Sequence, residues 1–596
     1  MPDPEQSQQP HKPEALKDQG CPVPMYGGKR CGRPVHAGSM GVDKEPVCMM
    51  HSRDPNKSIA AFEAEFERIL AEAATGLADF SEFIFPEINL SYRQLNAMCW
   101  FAGVTFAQLA DFSEAVFSQN AIFTHATFMR DAEFGLVLFE GGADFYHADF
   151  MQSVSFREAG FQNRAKFDEV VFNEAADFRE AEFSEGASFR YVEFRADALL
   201  SGATFDGYAD LAATKFAGRA EFDDAKFRGV LDLHDASFDG FVNFCLAECA
   251  QAAKFAGARF SGGSDFSLAE FCRIADFYRA RFDGPAEFRE TRFREDKGDE
   301  PGAVFVLTTF AKPKHVVFYK THVGQALFHN CDVSELVFSN VRWRQRSNGK
   351  RMVLEESVRL ADPPAGALWP EKGSLDERNY ALIAELYQQL KKNYDDRRDY
   401  WTAGDFHYGE MEMKRRACPR LTWLAWLEAK LSGRPRFRKL GEWCGKLQSN
   451  AWLLRKVRWW HQRFGLAAWY RRASDYGESW GKPLLWLFAV LALFAALYPL
   501  LGLRPAAGKS PAAKTTSVQV QTPSPQETDL RYWNYERPGR LFCHSVMTSL
   551  GVAAFQRDLA YEPAYPWGRL LALLELLLTS TLIALFLLAV RRQFRR

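Results

Sequence analysis

Residues 176–186 read ADFREAEFSEG and residues 275–285 read ADFYRARFDGP, two copies of one eleven-residue unit. Each places a Phe at its third position and another five residues later: Phe178 and Phe183 in the first copy, Phe277 and Phe282 in the second. Extended in both directions, the same alternation of five- and six-residue steps runs from Phe101 to Phe293. Of its 36 positions 32 are Phe, the exceptions being Leu200, Leu211, Leu233 and Cys249. Such regularity is a demand for one large apolar side chain at each step. It means stacked copies of a small unit, each burying its apolar side on its neighbours. No pocket of conventional chemistry is expected along such a stack, so function belongs to its faces or to what its ends carry.

An eleven-residue period also suits a right-handed helical coil. On a helix, however, a five-residue step turns by about 140°, so the two Phe of a unit would face different ways. A turning β-chain fits better. The residue two before each Phe is usually Ala or Val, as Ala143 before Phe145 and Ala148 before Phe150. Period two puts both on one inward side. Each step is then one short side of a coil plus its corner.

These features resemble the pentapeptide-repeat family, whose members form a right-handed, four-sided β-helix with Phe or Leu at the centre of each side. The resemblance spans about residues 80–343. Phe80, Phe85, Leu90 and Leu95 read as the first coil, and after an interruption at Lys312–Lys314 a plain five-step beat follows: Phe318, Val323, Phe328, Val333, Phe338, Trp343. The extra residue in each pair departs from the plain family pattern and is expected to bulge a corner. With about 22 residues per coil and about 4.8 Å between coils, the main array makes a rod on the order of 50 Å long. An amphipathic helix upstream, carrying Phe62, Phe66, Ile69 and Leu70, is expected to cap its open end.

The net charge of −1 hides a strong asymmetry. Residues 81–300 carry 38 acidic against 21 basic side chains, and residues 413–482 carry 17 basic against 4 acidic. The 11 Cys are dispersed and no apolar secretory segment opens the chain, which suits a reducing cytoplasm. Residues 484–503 (LLWLFAVLALFAALYPLLGL) are charge-free, and residues 570–590 are apolar apart from Glu575. Each is long enough to span a bilayer as a helix. The basic stretch before the first and the RRQFRR tail after the second place both termini on the cytoplasmic side of an inner (plasma) membrane. Residues 504–569 then lie outside, starting with a Pro-, Ala-, Ser- and Thr-rich linker. Trp452, Trp459, Trp460, Trp469 and Trp480, interleaved with Arg and Lys, suit an interfacial lead-in whose nearest anionic partner is lipid headgroups.

The stretch between the spans, RPGRLFCHSVMTSLGVAAFQRDLAYEPAYPWGRLLALLELLL, is similar to the pore helix, filter and inner helix of two-span potassium-channel modules. The resemblance implies a re-entrant segment over 538–556 with a pore helix over 541–549. A filter-like stretch follows at Thr548, Ser549, Leu550, Gly551, Val552 and Ala553, and Gly568, Arg569 and the pore-associated Glu575 open the inner helix. A filter of this kind turns backbone carbonyls towards the axis with the help of Gly. Where the family reads Thr-Val-Gly-Tyr-Gly-Asp, this chain reads SLGVAA, so potassium selectivity does not carry over. A less selective pore for monovalent cations, a silent module and an oligomerisation anchor all stay open. A pore implies a homo-oligomer of about four chains. Glu575 is read either as pore-related or as a carboxylate bonded to a neighbouring helix.

Near the start, Cys21, Cys31, Cys48 and His51 form a Cys₃His set suited to a structural zinc, with His36 as a substitute ligand. Gly27, Gly28 and Gly32 permit the tight turns such a site needs. The alternative is reduced cysteines in a loose tail. Between rod and membrane, Ser374 and Glu377 make a capping box before a helix with Leu382, Leu386 and Leu390 on one face, near Tyr387 and Tyr394. A second helix is expected over 403–416, where His407, Glu410 and Glu412 read as a solvated face with ion pairs, the alternative being a metal or acid-base group.

The expected fold class is therefore multidomain: a zinc-binding-like module (1–56), a capping helix (57–79), the β-helix (80–345), a helical coupling domain with a basic collar (346–482) and a two-span channel-like membrane domain (483–596). Three functions fit it. In the first, a channel-like pore is served by a cytoplasmic rod that senses or docks an unknown protein partner. In the second, a non-conducting, membrane-tethered scaffold presents the rod. In the third, the rod is an acidic DNA mimic that binds a topoisomerase. No nucleic-acid partner is expected, and neither is an enzyme, since no phosphate-cradling loop, nucleophile motif or paired acid and base is present.

Overall fold

In the computed structural model, residues 20–39, 42–295, 300–357, 380–417, 451–505, 538–556, 559 and 561–595 are described. Two compact units divide the chain, Met1–Arg378 and Asn379–Arg596. The capping box at Ser374 and Glu377, the linker after the first span and much of the basic stretch (418–450) fall outside the described residues.

The first unit is a four-sided parallel β-solenoid. Short strands follow one another from Leu77–Asp79 to Val337–Ser339 and stack into four sheets of 12, 11, 12 and 10 strands. Register is set by the repeat: Phe128 lies between Phe106 and Phe150, one coil of 22 residues away on either side. Four columns of rings result. Within a column the rings stack nearly parallel, as Phe112 on Phe134 (4.7 Å, 3°), and they meet the next column edge-on, as Phe123 and Phe134 (5.8 Å, 85°). Both are favourable arrangements of the ring quadrupole. Ala or Val fills the inward position two residues earlier, since a bulkier side chain there would meet the column.

The corners explain the alternation of steps. At a five-step corner the second residue after the Phe is left-handed, for example Glu114 (φ 56°), Glu158 (φ 56°) and Asp224 (φ 54°). This conformation costs a non-Gly residue about 1–2 kcal/mol. It is offset by paired amides: Glu114 N–H donates to the Gly135 carbonyl in the next coil (2.8 Å) and Ala115 N–H to Phe112 (3.0 Å). At six-step corners other than the one at Gly186 (φ 106°) the extra residue lets the chain turn without a left-handed position. There coils approach so closely that a Cβ on Gly262 would sit 2.2 Å from the Gly240 carbonyl oxygen.

Towards its C-terminal end the rod departs from the beat in a way the sequence reading missed. Ala275 pairs with Ala303, 28 residues on instead of 22, so an insertion precedes the 3₁₀ turn at Pro313–His315. The columns nevertheless continue: Phe305 stacks on Phe277 (5.0 Å, 2°) and Phe310 on Phe282 (5.2 Å, 24°). A closing 3₁₀ turn, Leu354–Glu356, then lays Leu354 over the outer face formed by Val304, Val306, Leu327, Ile274 and Tyr278. Beside it Glu355 is fully buried and accepts the Phe328 N–H (2.5 Å). Burial pushes the Glu355 carboxyl up from 4.5 to about 7. A group that gains a proton on folding stabilises most below its unfolded pKa. The closure should therefore lose about 3 kcal/mol as pH rises from 4.5 to 7, and little beyond. Hydrogen exchange of residues 326–357 across this window checks it, and Glu355→Gln should flatten the profile.

In front of the rod, helix α1 (Ile59–Ala73) starts at Ser58, whose hydroxyl accepts the Ala61 N–H. Its Phe66 stacks on Phe80 (4.7 Å) and its Phe62 meets Phe85 edge-on (5.0 Å), covering the first coil.

The second unit is helical. Helices α2 (Tyr380–Asp396) and α3 (Tyr400–Arg416) pair through Leu386, Tyr387, Leu390, Tyr394 and Phe406. Helices α4 (Ala451–Phe464), α5 (Leu466–Ser474), α6 (Gly481–Leu501), α7 (Pro538–Ala553) and α8 (Pro566–Arg595) follow. Two of them, α6 and α8, are long and apolar enough to cross a membrane. They form an antiparallel pair. Leu503–Pro505 bonds to Tyr561–Pro563 at one end, and Arg592 donates to the Tyr476 carbonyl (2.8 Å) at the other.

Candidate functional site

The metal-ligand set is assembled by turns. Cys21 and Cys31 lie on a tight hairpin closed by Cys31 N–H to the Val23 carbonyl (2.8 Å), with Gly27 and Gly28 left-handed at its tip. Cys48 and His51 share one turn, His51 N–H bonding the Cys48 carbonyl (3.1 Å). His51 Nδ1 then lies 3.4 Å from Cys21 Sγ and 3.1 Å from Cys48 Sγ, and Cys31 and Cys48 sulfurs are 3.7 Å apart. All four donor atoms fall within 4.8 Å of one another. With metal–sulfur bonds of about 2.3 Å, a tetrahedron has sulfur–sulfur edges of about 3.8 Å, so the donors fit a tetrahedral ion. Cys21, Cys48 and His51 are buried. Four protein ligands leave no open position, which is the structural kind of site. His36 stays outside it, paired with Asp54 (3.0 Å).

Contacts the sequence did not reveal tie this cluster to the rod. His51 Nε2 faces the Ser81 carbonyl (3.1 Å) in the first coil and its ring packs edge-on against Phe83 (5.0 Å). Arg33 donates to Cys31 Sγ (3.2 Å) and to Glu65 on α1 (2.7 Å). Lys57, pushed down to about 8 by burial, donates to the carbonyls of Ser52 (2.9 Å) and Ile84. A partner for the unused nitrogen of a ligating His is the usual means of fixing its tautomer.

The filter-like stretch lies in a helix of the second unit. Helix α7 runs unbroken through Thr548, Ser549, Leu550, Gly551, Val552 and Ala553. Leu550, Gly551 and Val552 lie in its last turn, and their carbonyls accept the N–H groups of Ala554 (2.9 Å), Gln556 (2.9 Å) and Phe555 (3.2 Å), whereas a filter turns such carbonyls towards an axis. Glu575 lies buried where α6, α7 and α8 meet. The Tyr498 hydroxyl donates to one oxygen (2.5 Å) and the Ser549 hydroxyl to the other. Ser545 also bonds the Ala495 carbonyl. A buried carboxylate amid apolar helices is costly unless hydrogen-bonded. Two hydroxyls meet that need, and Glu575 ties the three helices together. Tyr498, the only hydroxyl-bearing side chain in residues 484–503, was the overlooked sign of its partner.

Glu410 and Glu412 are buried, not on a solvated face. Glu412 receives a fork from Arg415 (2.5 and 3.0 Å), the Tyr476 hydroxyl (3.1 Å) and Arg416 (3.3 Å), with Arg471 at 3.5 Å. Burial raises its pKa, but these cations outweigh burial and hold it at about 2. Glu410 is held likewise at about 2 by His407, Lys414 and Lys391. Since Arg471 lies in α5 and Tyr476 between α5 and α6, this network fixes the lead-in to the first apolar helix onto α3.

With the geometry in place, comparison with known proteins defines the class. The family described as pentapeptide repeats (9 copies) matches residues 97–137, 167–215 and 246–292, all within the rod. No curated protein and no solved structure matches the chain. The chain thus carries pentapeptide repeats folded as a β-solenoid of about twelve turns, of the right-handed type, and a helical unit with two helices long and apolar enough to span a bilayer.

Proposed function

We propose that this protein is a membrane-tethered interaction scaffold. The rod is a rigid binding platform for a protein partner in the cytoplasm. A structural zinc closes its N-terminal end, and the α6–α8 pair anchors the chain in the inner (plasma) membrane with both termini inside. The observation that supports this reading is the helical conformation of residues 548–553, with the carbonyls of Leu550, Gly551 and Val552 taken up by the N–H groups that follow them. The outer faces support it. Charges pair along the rod from coil to coil, as Lys215 with Glu193 (3.0 Å), Arg228 with Asp206 (2.6 Å) and Lys254 with Asp232 (2.9 Å). Mixed ladders of this kind favour a protein partner over mimicry of a uniformly charged polyanion, and binding rather than catalysis.

The channel-like reading is the second. It is favoured by the short apolar helix α7 lying against both long helices, with Ser549 bound to Glu575. It requires about four chains around an axis. Planar-bilayer recording of the purified full-length protein separates the two. Silence under both voltage polarities in potassium and sodium salts is expected, and single-channel steps would replace the scaffold by the channel.

A further inference from the structure

Helices α3, α4, α5 and the first turn of α6 surround a cavity of about 460 Å³. Arg415, Arg463, Arg471, Arg472 and Lys482 line it, with Trp459 as its aromatic wall. These five cations have two carboxylates near them. Glu412 takes Arg415 and Arg471, and Asp475 takes Lys482 (2.9 Å). Arg463 and Arg472 have no carboxylate partner among the described residues. Each guanidinium is instead set over an indole, Arg463 over Trp459 (5.7 Å) and Arg472 over Trp469 (5.7 Å). Stacking of this kind holds the fork in place while leaving its N–H edge unused. The Arg415 fork is likewise locked, by Glu412 and by the Gln462 carbonyl (2.7 Å).

Like charges gathered around one cavity repel one another, and the arrangement is relieved by an anion. Guanidinium forks match the oxygens of phosphate, which they bind through paired charge-assisted bonds. The position narrows the ligand further. Lys482 is in the first turn of the apolar helix α6, and Trp460, Trp469 and Trp480 are exposed around it, as aromatic side chains are at a headgroup layer. We propose that this cavity is a phosphate-binding site, with Arg463 and Arg472 as the two groups that grip the phosphate. The lipid origin of that phosphate rests on the membrane-tether reading; the chemistry of the cavity does not.

Two arms test it on the full-length protein. In the first, the protein is reconstituted in nanodiscs containing phosphatidylglycerol, released, and weighed by native mass spectrometry. The wild type should retain phosphatidylglycerol. The Arg463→Gln/Arg472→Gln pair should lose about tenfold in retention. The Arg463→Lys/Arg472→Lys pair, which keeps the charge without the fork, should fall between and reports that folding is intact. In the second arm, inorganic pyrophosphate is titrated calorimetrically into detergent-solubilised protein. Pyrophosphate binding with the same order of variants and no retained lipid would assign a soluble phosphate. Absence of both ligands, or binding that the Gln pair leaves unchanged, overturns the site. Vesicle flotation of the wild type judges the tether separately: protein left at the bottom of the gradient removes the membrane reading, while the pyrophosphate arm still decides the cavity.

Discussion

Replacing Phe145 with alanine is expected to destabilise the coils around it by about 3–5 kcal/mol. The side chain is fully buried. It stacks between Phe123 (4.8 Å, 4°) and Phe167 (4.9 Å, 3°) and is met edge-on by Phe134 (5.7 Å), Phe156 (5.4 Å) and Phe139 (6.1 Å). Truncation opens a cavity that cannot collapse, because hydrogen bonds fix the coil spacing above and below it. Phe145→Leu should cost much less, below about 1.5 kcal/mol, since Leu200, Leu211 and Leu233 fill equivalent places elsewhere with no exposed surface. In a solenoid each coil touches only its neighbours. Hydrogen exchange should therefore speed up most within residues 120–170 and little near residues 300–340. Uniform acceleration along the rod would show that the array unfolds as one block. Unchanged exchange would contradict the stacked core.

The rod was legible because its rule is local and repeated. One inward Phe per side, with a small residue two before it, specifies strand, face and register together, and the eleven-residue period multiplies that signal. Where the rule is broken once, reading fails. The insertion ahead of Ala303 shifted the phase, so Phe305 and Phe310 were passed over although both continue their columns. The ligand set Cys21, Cys31, Cys48 and His51 was visible from residue types alone, whereas its attachment was not. The bonds to the Ser81 carbonyl and to Glu65 join segments about 30 residues apart, and no local pattern encodes them. The filter-like stretch, expected as a turned segment, is helical here. Ser-Leu-Gly-Val-Ala-Ala carries one Gly, and a single Gly lowers helix stability by only about 1 kcal/mol relative to Ala. Packing of α7 between two long helices overrides so small a penalty. Glu410 and Glu412 read as surface because charged residues usually are. The burial of Glu412 depends on Tyr476 and Arg471, some 60 residues later.

Cys48→Ser should abolish stoichiometric zinc and release the N-terminal module from the rod. Cys48 is buried, 3.1 Å from His51 Nδ1 and 3.7 Å from the Cys31 sulfur, so its loss removes a central donor of the four. Structural zinc sites of this type contribute on the order of 10–16 kcal/mol of apparent binding free energy at neutral pH, which is largely folding energy. A module of some forty residues with few apolar groups has little else to hold it. The effect should travel, because the ring nitrogen of His51 that faces away from the sulfurs bonds the first coil at Ser81. Without the ion His51 loses the ligand that holds its ring against Ser81, and the Cys31 sulfur is no longer held where Arg33 joins it to Glu65. Elemental analysis of the purified full chain should find one zinc per wild-type molecule and none in Cys48→Ser. Hydrogen exchange should rise in residues 20–57 and at Ser81–Phe85, with the coils beyond residue 120 unaffected. His36→Ala is the control: its partner is Asp54, outside the donor set, and the metal content should not change. Equal zinc in wild type and Cys48→Ser would dismiss the metal. Loss of zinc without loosening at Ser81 would instead leave the ion in place as a local staple, with the closure of the rod resting on Phe62 and Phe66 of α1 alone.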